Sequence, residues 1–279
     1  MAPPVTAVPV RPAREADLPT GAEDLLHAYA TDPEGVFAAG PEESPPLGLA
    51  AGVVRGDALQ VVHLEVVRAA RGKGAGPALW NSVRAYGAAR GVRSAEFARP
   101  GDEATLGFLL GAGLPVRGVA LRFRATSLRP FTETPVPLAP LPPGAPLSGW
   151  VADLDRETRG FPRTADWNYW TRHGTELFAA RRRGRPEGIG GLTLLGRRAL
   201  LGPVAAVRPE AAAQIFLALA AEALRCGAAE IEASLPSEAR LLVTAALRAG
   251  LRLAGSFPVL GSRLRGDLRR YAASPTSFF

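Results

Sequence analysis

The sequence has one cysteine and three histidines, and this scarcity excludes two classes of site. Cys226 stands alone, so the chain contains no internal disulfide and no zinc site built on cysteines. The histidines, His27, His63 and His173, lie far apart and match no metal-binding spacing. We therefore expect no metal cofactor.

Long apolar runs are missing as well. The most apolar stretch, AAAQIFLALAAEAL at 211–224, is too short to span a bilayer and contains Gln and Glu. The first residues, MAPPVTAVPVRP, lack the apolar core of a signal peptide. These absences predict a soluble, cytoplasmic protein of bacterial type that does not engage a membrane.

Lysine occurs only at position 73, although the chain has 33 basic and 26 acidic residues and an isoelectric point near 10.6. The abundance of arginine, alanine, glycine and proline is typical of a GC-rich genome, so the basic charge is weak evidence for nucleic-acid binding. The cluster RRRGR at 181–185, with Arg197 and Arg198, has no interleaved aromatic residues. We interpret it as a solvated hairpin and expect no nucleic-acid partner.

Proline is concentrated in one segment. The stretch PFTETPVPLAPLPPGAPLS, residues 130–148, contains many prolines, which lack a backbone N–H and have a fixed φ. We predict that it is an extended, semi-rigid linker that does not pair in a sheet. It would divide the chain into an N-terminal domain, 1–129, and a C-terminal domain, 149–279.

The two halves resemble each other. VFAAG (36–40) corresponds to LFAAR (177–181), and LLGAGLPVRGVALRF (109–123) corresponds to ALRAGLRLAGSFPVL (246–260). The matches occur in the same order at near-equal spacing, which favours a duplication. Each half alternates strand and helix patterns, so we predict a mixed-sheet α/β fold in two domains.

The stretch RAARGKGAGPALW, residues 68–80, lies between a predicted strand, 58–67, and a helix predicted over 77–90. Pro77 suits the first turn of a helix, where a missing N–H needs no partner. Glycines there leave backbone N–H groups accessible at the positive end of the helix dipole, which predicts an anion site. Arg71 and Lys73 add positive charge to it.

Two common phosphate-binding motifs do not fit this stretch. The Walker pattern requires Ser or Thr after the lysine, and the dinucleotide pattern requires glycine where Pro77 stands. The pattern Arg-x-x-Gly-x-Gly, at Arg71, Gly74 and Gly76, resembles the coenzyme A pyrophosphate loop of the GNAT N-acetyltransferase superfamily. The resemblance covers roughly residues 5 to 125. It implies acetyl-CoA as cosubstrate and a primary amine as acceptor.

The resemblance also implies where the coenzyme binds. The strand before the loop would splay from its neighbour, and the pantetheine arm would lie in the gap. The residues expected to contact the coenzyme are the strand end and the loop: Val66, Val67, Arg68, Arg71, Gly72, Lys73, Gly74, Ala75 and Gly76. In the second half, the repeat aligns Glu210 and Ala212 with Gly74 and Gly76, so that half resembles a degenerate domain without a coenzyme site.

The catalytic residues are less clearly marked. The superfamily's usual acid, a tyrosine, is replaced by Leu109, so we expect no dedicated general acid. His63 and Glu65 share one face of the strand that enters the site, and either could take the proton of the amine through a water. We predict that both are catalytic and that Glu65 is the base. The alternatives are that Glu65 pairs with an arginine and that His63 is only packed.

Two functions remain open from the sequence. One is an enzyme that acetylates a primary amine of a small molecule or peptide. The other is a non-catalytic acyl-CoA-binding or assembly module with the same fold. The segment TADWNYW, 164–170, is either a wall of the acceptor site or part of the core. The acceptor itself is not specified, and a homodimer is left open.

Overall fold

A computed structural model describes residues 8–97, 100, 102–127, 136–142, 147, 149–262 and 265–274. The helices in these residues are α1 (Glu23–Thr31), α2 (Ala75–Ala89), α3 (Glu103–Gly111), α4 (Gly149–Arg159), α5 (Thr164–Arg172), α6 (Pro209–Arg225) and α7 (Arg240–Arg248). The strands are β1 (Val10–Pro12), β2 (Val36–Ala39), β3 (Gly48–Arg55), β4 (Ala58–Val66), β5 (Ser94–Phe97), β6 (Val116–Ala125), β7 (Leu138–Pro140), β8 (Thr175–Arg182), β9 (Arg185–Leu195), β10 (Arg198–Ala206), β11 (Glu230–Pro236), β12 (Arg252–Gly261) and β13 (Tyr271–Ala272). The predicted mixed-sheet α/β fold is confirmed.

The chain divides into two compact units whose boundaries do not coincide with a simple division into halves. Unit 1 comprises Met1–Arg117 and Val259–Arg263, and unit 2 comprises Gly118–Pro258 and Leu264–Phe279. The last strand of each half therefore contributes to the sheet of the other unit. In unit 1, the end of β12 pairs with β5, and in unit 2, β6 pairs with β11.

The sheet of unit 1 has the order β1-β2-β3-β4-β5. Its pairs are antiparallel except for β4 and β5, which run parallel. The register between β3 and β4 shifts by one residue, because Ala51 pairs with His63 and Gly52 pairs with Val61. Val62 is thus an extra residue in β4, and a bulge of this kind bends the strand and increases its twist.

Helix α2 packs on this sheet through an apolar face that includes Leu79, Trp80 and Val83. The contact is close at Gly52 of β3, where an added Cβ would lie 2.5 Å from Val83 Cγ1. This close packing fixes the start of α2, and therefore the glycine-rich loop, next to the end of β4.

Unit 2 repeats the same plan, with sheet order β6-β11-β10-β9-β8-β7. Its pairs are antiparallel except for β10 and β11, which are parallel. The register between β9 and β10 also shifts, between Leu201 and Val204. Helix α6 covers this sheet with an apolar face in which Ile215 and Phe216 are fully buried.

Equivalent hydrogen bonds recur at the same sequence interval in the two halves. After β4, the Val67 N–H donates to the Leu47 carbonyl, and after β10 the Val207 N–H donates to the Glu187 carbonyl, both at 2.9 Å. The ends of α3 and α7 match in the same way, through bonds from Leu114 to Leu109 and from Leu251 to Ala246, at 3.1 and 2.9 Å. These parallels support the duplication inferred from the sequence.

The prediction that the proline-rich segment stays unpaired is wrong for β7. Leu138, Ala139 and Pro140 pair antiparallel with β8. β7 lies at the end of the strand order, and an edge strand tolerates proline because one side of it needs no ladder partner. Residues 130–135, 143–146 and 148 of the segment lie outside the described part of the chain.

The cluster RRRGR forms the exposed turn between β8 and β9, as predicted. In the part of the chain that the structure describes, none of the helices combines the length and the apolar character that crossing a bilayer requires.

Candidate coenzyme site

The glycine-rich stretch forms the connection between β4 and α2. A short 3₁₀ turn, Arg68–Ala70, follows β4, and the chain then passes through Gly72 (φ 74°) and Gly74 (φ 90°) before α2 begins at Ala75. Residues with a side chain rarely adopt such φ values, so the backbone itself requires glycine at these two positions. Pro77 lies in the first turn of α2, where its missing N–H removes no helix hydrogen bond.

The space at these glycines is open. A Cβ added to Gly72 or Gly74 would meet no heavy atom within 4 Å, and a Cβ added to Gly76 would make only an ordinary contact of 3.8 Å with Val66. The glycines therefore leave vacant the volume that side chains would otherwise fill beside the loop.

Backbone donors collect at the start of α2. The Ala78 N–H donates to the Gly74 carbonyl at 3.1 Å, but the N–H groups of residues 72–76 have no acceptor among the described residues. Donors without partners at a helix N-terminus coincide with the positive end of the helix dipole, and together they favour an anion. These donors support the prediction of a phosphate site at this loop.

The two basic side chains of the loop differ in their surroundings. Arg71 forms an ion pair with Asp102, with 2.6 Å between Nη2 and Oδ2, and its Nε donates to the Val66 carbonyl at 3.1 Å. Asp102 is also the N-cap of α3 and accepts a bond from the Thr105 N–H at 2.8 Å. Lys73 is exposed and has no ion-pair partner in the described part of the chain, so its charge is available to an anion.

Strand β4 offers an unpaired edge beside the loop. Its parallel pairing with β5 ends at Gln60 and Glu96, although β4 continues to Val66. Among the described residues, no strand pairs with this edge of β4 from 61 to 66. The splay that the sequence predicts would begin at this point, and it stays a prediction because residues 98, 99 and 101 lie outside the described part of the chain.

His63 and Glu65 lie on this part of β4, with 3.7 Å between His63 Nε2 and Glu65 Oε2. The His63 side chain is only 21% exposed, whereas that of Glu65 is 69% exposed. Burial lowers the pKa of His63, and the negative charge of Glu65 partly offsets this effect. A neutral imidazole can accept a proton, so His63 stays a candidate base beside Glu65.

Leu109, which the sequence resemblance aligns with the superfamily's usual acid, is fully buried in the core of unit 1. A leucine side chain cannot donate a proton.

Unit 2 has no equivalent of this loop. Only Val207 and Arg208 join β10 to α6, whereas eight residues, 67–74, join β4 to α2. When α2 and α6 are aligned by their first residues, Gly74 corresponds to Arg208. This is two residues before Glu210, which the repeat alignment pairs with Gly74. Arg208 pairs with Glu187 at 2.6 Å. Aligned instead by the helix ends, where the bond from Val92 to Gly87 corresponds to the bond from Ala228 to Ala223, Gly74 corresponds to Glu210, as in the repeat alignment. Helix α6 therefore begins two residues earlier than α2 does, and its connection to the strand is shorter.

The aromatic segment TADWNYW forms most of α5. Trp167, Tyr169 and Trp170 are buried and pack in a hydrophobic cluster of unit 2 with Leu177 and Ile189. Of the two interpretations that the sequence left open, the structure favours the core.

Comparison with known proteins supports the fold. No protein-family model and no curated protein matches the sequence. Among solved structures, a putative acetyltransferase from Pyrococcus horikoshii superposes with a TM-score of 0.78 at 16% identity, over 97% of this chain and 95% of that one. A GCN5-related N-acetyltransferase from Anabaena variabilis superposes with a TM-score of 0.62 at 12% identity, over 91% and 72%.

A tandem GNAT protein from the clavulanic acid biosynthesis pathway superposes with a TM-score of 0.56 at 16% identity, over 88% of each chain. These likenesses extend over most of the chain, so they concern both halves. The chain has the fold of GNAT N-acetyltransferases, as its glycine-rich motif indicated.

Proposed function

We propose that the chain is an acetyl-CoA-dependent N-acetyltransferase whose one coenzyme site lies in unit 1. The proposal depends on two observations about the described residues: no strand pairs with the edge of β4 beyond Gln60, and the N–H groups of residues 72–76 have no acceptor. An edge that offers backbone groups suits an extended amide-containing arm, and a cluster of N–H groups suits a pyrophosphate.

Each predicted contact residue has a role in this proposal. The strand end, Val66–Arg68, would bind the pantetheine arm through its backbone, and the loop from Gly72 to Gly76 would bind the pyrophosphate. Lys73 would add a charge-assisted contact. Arg71 is already engaged by Asp102 and Val66, so we assign it to holding the loop in shape rather than to contacting phosphate.

The chemistry requires a base. Acetyl-CoA supplies an acetyl group activated as a thioester. The amine nitrogen attacks the carbonyl carbon, the C–N bond forms, the C–S bond breaks, and the sulfur leaves with the bonding electrons. The nitrogen must lose a proton, and His63 and Glu65 lie close together on the part of β4 to which we assign the pantetheine arm. We propose that these two residues accept it, directly or through a water.

One observation favours the second candidate, a non-catalytic acyl-CoA-binding module. Leu109 replaces the acid. The leaving thiolate is much less basic than an amine, so an acid is dispensable, and we retain the enzyme as the first candidate. Turnover separates the two, since a binding module would bind acetyl-CoA without releasing thiol in the presence of any amine.

The binding step can be tested by thermal shift. Acetyl-CoA at about 100 times its dissociation constant stabilises a protein by roughly 2.7 kcal/mol. We expect this gain in the wild type and its loss in Gly74→Glu, which places a carboxylate at the anion site. The matched control is Gly91→Glu, just beyond the other end of α2. Gly91 also has a positive φ, 74°, and open space around its Cβ position.

An equal ligand-induced shift in the wild type and in Gly74→Glu would refute the site. A shift lost in both variants would show that strain in α2, and not the charge, is responsible. A screen of amines, aminoglycosides, amino acids and peptides for acetyl-CoA-dependent thiol release then identifies the acceptor class.

A further inference from the structure

In unit 2, the edge of β10 that corresponds to the unpaired edge of β4 is covered by the chain's own strand β13. The parallel pairing of β10 with β11 ends at Leu201 and Ala233, after which both strands continue. β13 enters at this point and pairs antiparallel with β10, with Ala272 opposite Val204. On its other side, the Ala273 N–H donates to the carbonyl of Ser234 in β11 at 2.9 Å.

The residue directly before β13 bonds to the backbone at the end of β10. Arg270 donates through Nη1 to the Val207 carbonyl at 2.8 Å and lies 3.4 Å from the Ala206 carbonyl. It also pairs with Glu157 of α4 at 3.2 Å. These carbonyls are the counterparts of those at the end of β4, to which we assign the pantetheine arm in unit 1.

Tyr271 anchors the segment in the core of unit 2. Its side chain is fully buried, and its hydroxyl accepts a bond from Arg163 Nη1 at 2.7 Å. Arg163 in turn pairs with Asp155 at 2.7 Å, and both of these side chains are completely buried. The guanidinium groups of Arg159 and Arg163 lie 5.3 and 5.0 Å from the centre of the tyrosine ring.

This anchor is costly to break. A buried ion pair compensates for the lost hydration of its charges only when the surrounding hydrogen bonds are made. Removal of β13 would take the Tyr271 hydroxyl from Arg163 and would leave a buried donor without its acceptor. The segment is therefore a permanent part of unit 2 and not a loosely attached tail.

We infer that residues 268–274 occupy, within the same chain, the cleft of unit 2 that corresponds to the coenzyme cleft of unit 1. A strand of the same chain thus occupies the second cleft, and this strand prevents acetyl-CoA from binding to unit 2. The comparison with the coenzyme rests on the proposed function, whereas the filled cleft rests on the pairing and burial of β13 alone.

Hydrogen exchange on the full chain, with and without acetyl-CoA, tests this inference. We expect slow exchange at 271–273 without ligand, because these amides lie in a buried, paired segment. Acetyl-CoA should protect residues 66–76 and leave 204–210 and 268–274 unchanged. Fast exchange at 271–273, or ligand protection at 204–210 with release of 268–274, would overturn the inference.

Two neighbouring arginines provide a matched pair of variants. Arg270→Ala removes the bonds to the end of β10, so exchange of 268–274 should become about tenfold faster or more. Arg269→Ala should leave it unchanged, because Arg269 is exposed and, among the described residues, its side chain bonds only to Asp267. Unchanged exchange in β9 shows that unit 2 is folded in each variant, and equal exchange of 268–274 in the two variants would contradict the proposed anchor.

The outcomes also separate this inference from the proposed function. If acetyl-CoA changes exchange nowhere, the coenzyme site in unit 1 fails. Slow exchange at 271–273 and its acceleration by Arg270→Ala would still support a cleft that the chain fills itself.

Discussion

The guanidinium group of Arg71 connects two separate elements of unit 1. Nη2 lies 2.6 Å from Asp102 Oδ2 at the start of α3, and Nε donates at 3.1 Å to the carbonyl of Val66 at the end of β4. Arg71 thereby holds the beginning of the glycine-rich loop against β4. It is the basic residue of the motif, yet its contacts are to protein groups.

A double-mutant cycle tests this role. Asp102→Asn removes the charge but keeps a good N-cap for α3, since asparagine caps helices as well as aspartate does. Arg71→Gln removes the other partner. If the pair shapes the loop, each variant should raise the Kd for acetyl-CoA by less than about tenfold, because exposed ion pairs are weak. The double variant should be no worse than either single variant.

A different pattern would identify Arg71 as a direct phosphate ligand. In that case Asp102→Asn would tighten binding by releasing the cation, and Arg71→Gln alone would weaken it strongly. Isothermal titration of the four proteins distinguishes the two patterns.

The pKa of His63 predicts how stability varies with pH. Burial lowers this pKa below its usual value near 6.5 in the folded protein. Below pH 6.5 the unfolded chain takes up the proton first, so the folded state loses stability as the pH falls through this value. His63→Gln should therefore lose less stability than the wild type between pH 7.5 and 5, as measured by urea unfolding. Parallel losses in the two proteins would contradict the lowered pKa.

Replacement of either residue on β4 should lower the rate of acetyl transfer. A positioned general base contributes about 10²–10⁴-fold. If Glu65 is the base, Glu65→Gln should lower kcat by a factor in this range near neutral pH, with partial recovery at high pH where free amine accumulates. His63→Gln should then have the smaller effect. The measurement is a pH–rate profile of the three proteins with an acceptor from the screen.

The reverse order, a collapse in His63→Gln and full activity in Glu65→Gln, would assign the base to the histidine. The burial of His63 and its lowered pKa are the structural grounds for this alternative. Full activity in both variants would mean that the amine arrives already deprotonated.

Leu109 and Leu110 are neighbours on α3 with opposite environments. Leu109 is fully buried, whereas Leu110 is 45% exposed. Leu109→Tyr introduces the tyrosine that serves as the superfamily's usual acid, but it forces a larger side chain into a packed core. It should lower the free energy of unfolding by about 1–3 kcal/mol. Leu110→Tyr should change stability by less than about 0.5 kcal/mol. Equal urea midpoints for the two variants would contradict this account of the packing.

Local patterns were sufficient to predict much of unit 1. The loop before α2 could be predicted because its signals lie close together in the sequence. These signals are the glycines at 72 and 74, the proline in the first turn of α2 and the strand before them. Features that depend on distant residues were not predictable. The pairing of β12 with β5 joins residues far apart in the chain, and nothing in the strand of either half specifies its partner.

The ion pair of Arg71 and the filling of the second cleft were missed for the same reason. Asp102 is an ordinary N-cap in the sequence, and YAA at 271–273 carries no strand signal of its own. One signal was available for the cleft, since Tyr271 lies in a short apolar patch after a run of arginines. Its meaning depends on Arg163, which the sequence does not connect with it.

Calorimetric titration of acetyl-CoA into the full chain tests the central claim most directly. The account predicts a stoichiometry near one for the wild type, because the loop of unit 1 has N–H groups with no acceptor among the described residues and the cleft of unit 2 contains β13. Gly74→Glu should abolish the binding heat, and Gly91→Glu should retain it. A stoichiometry near two, or undiminished binding in Gly74→Glu, would contradict the account.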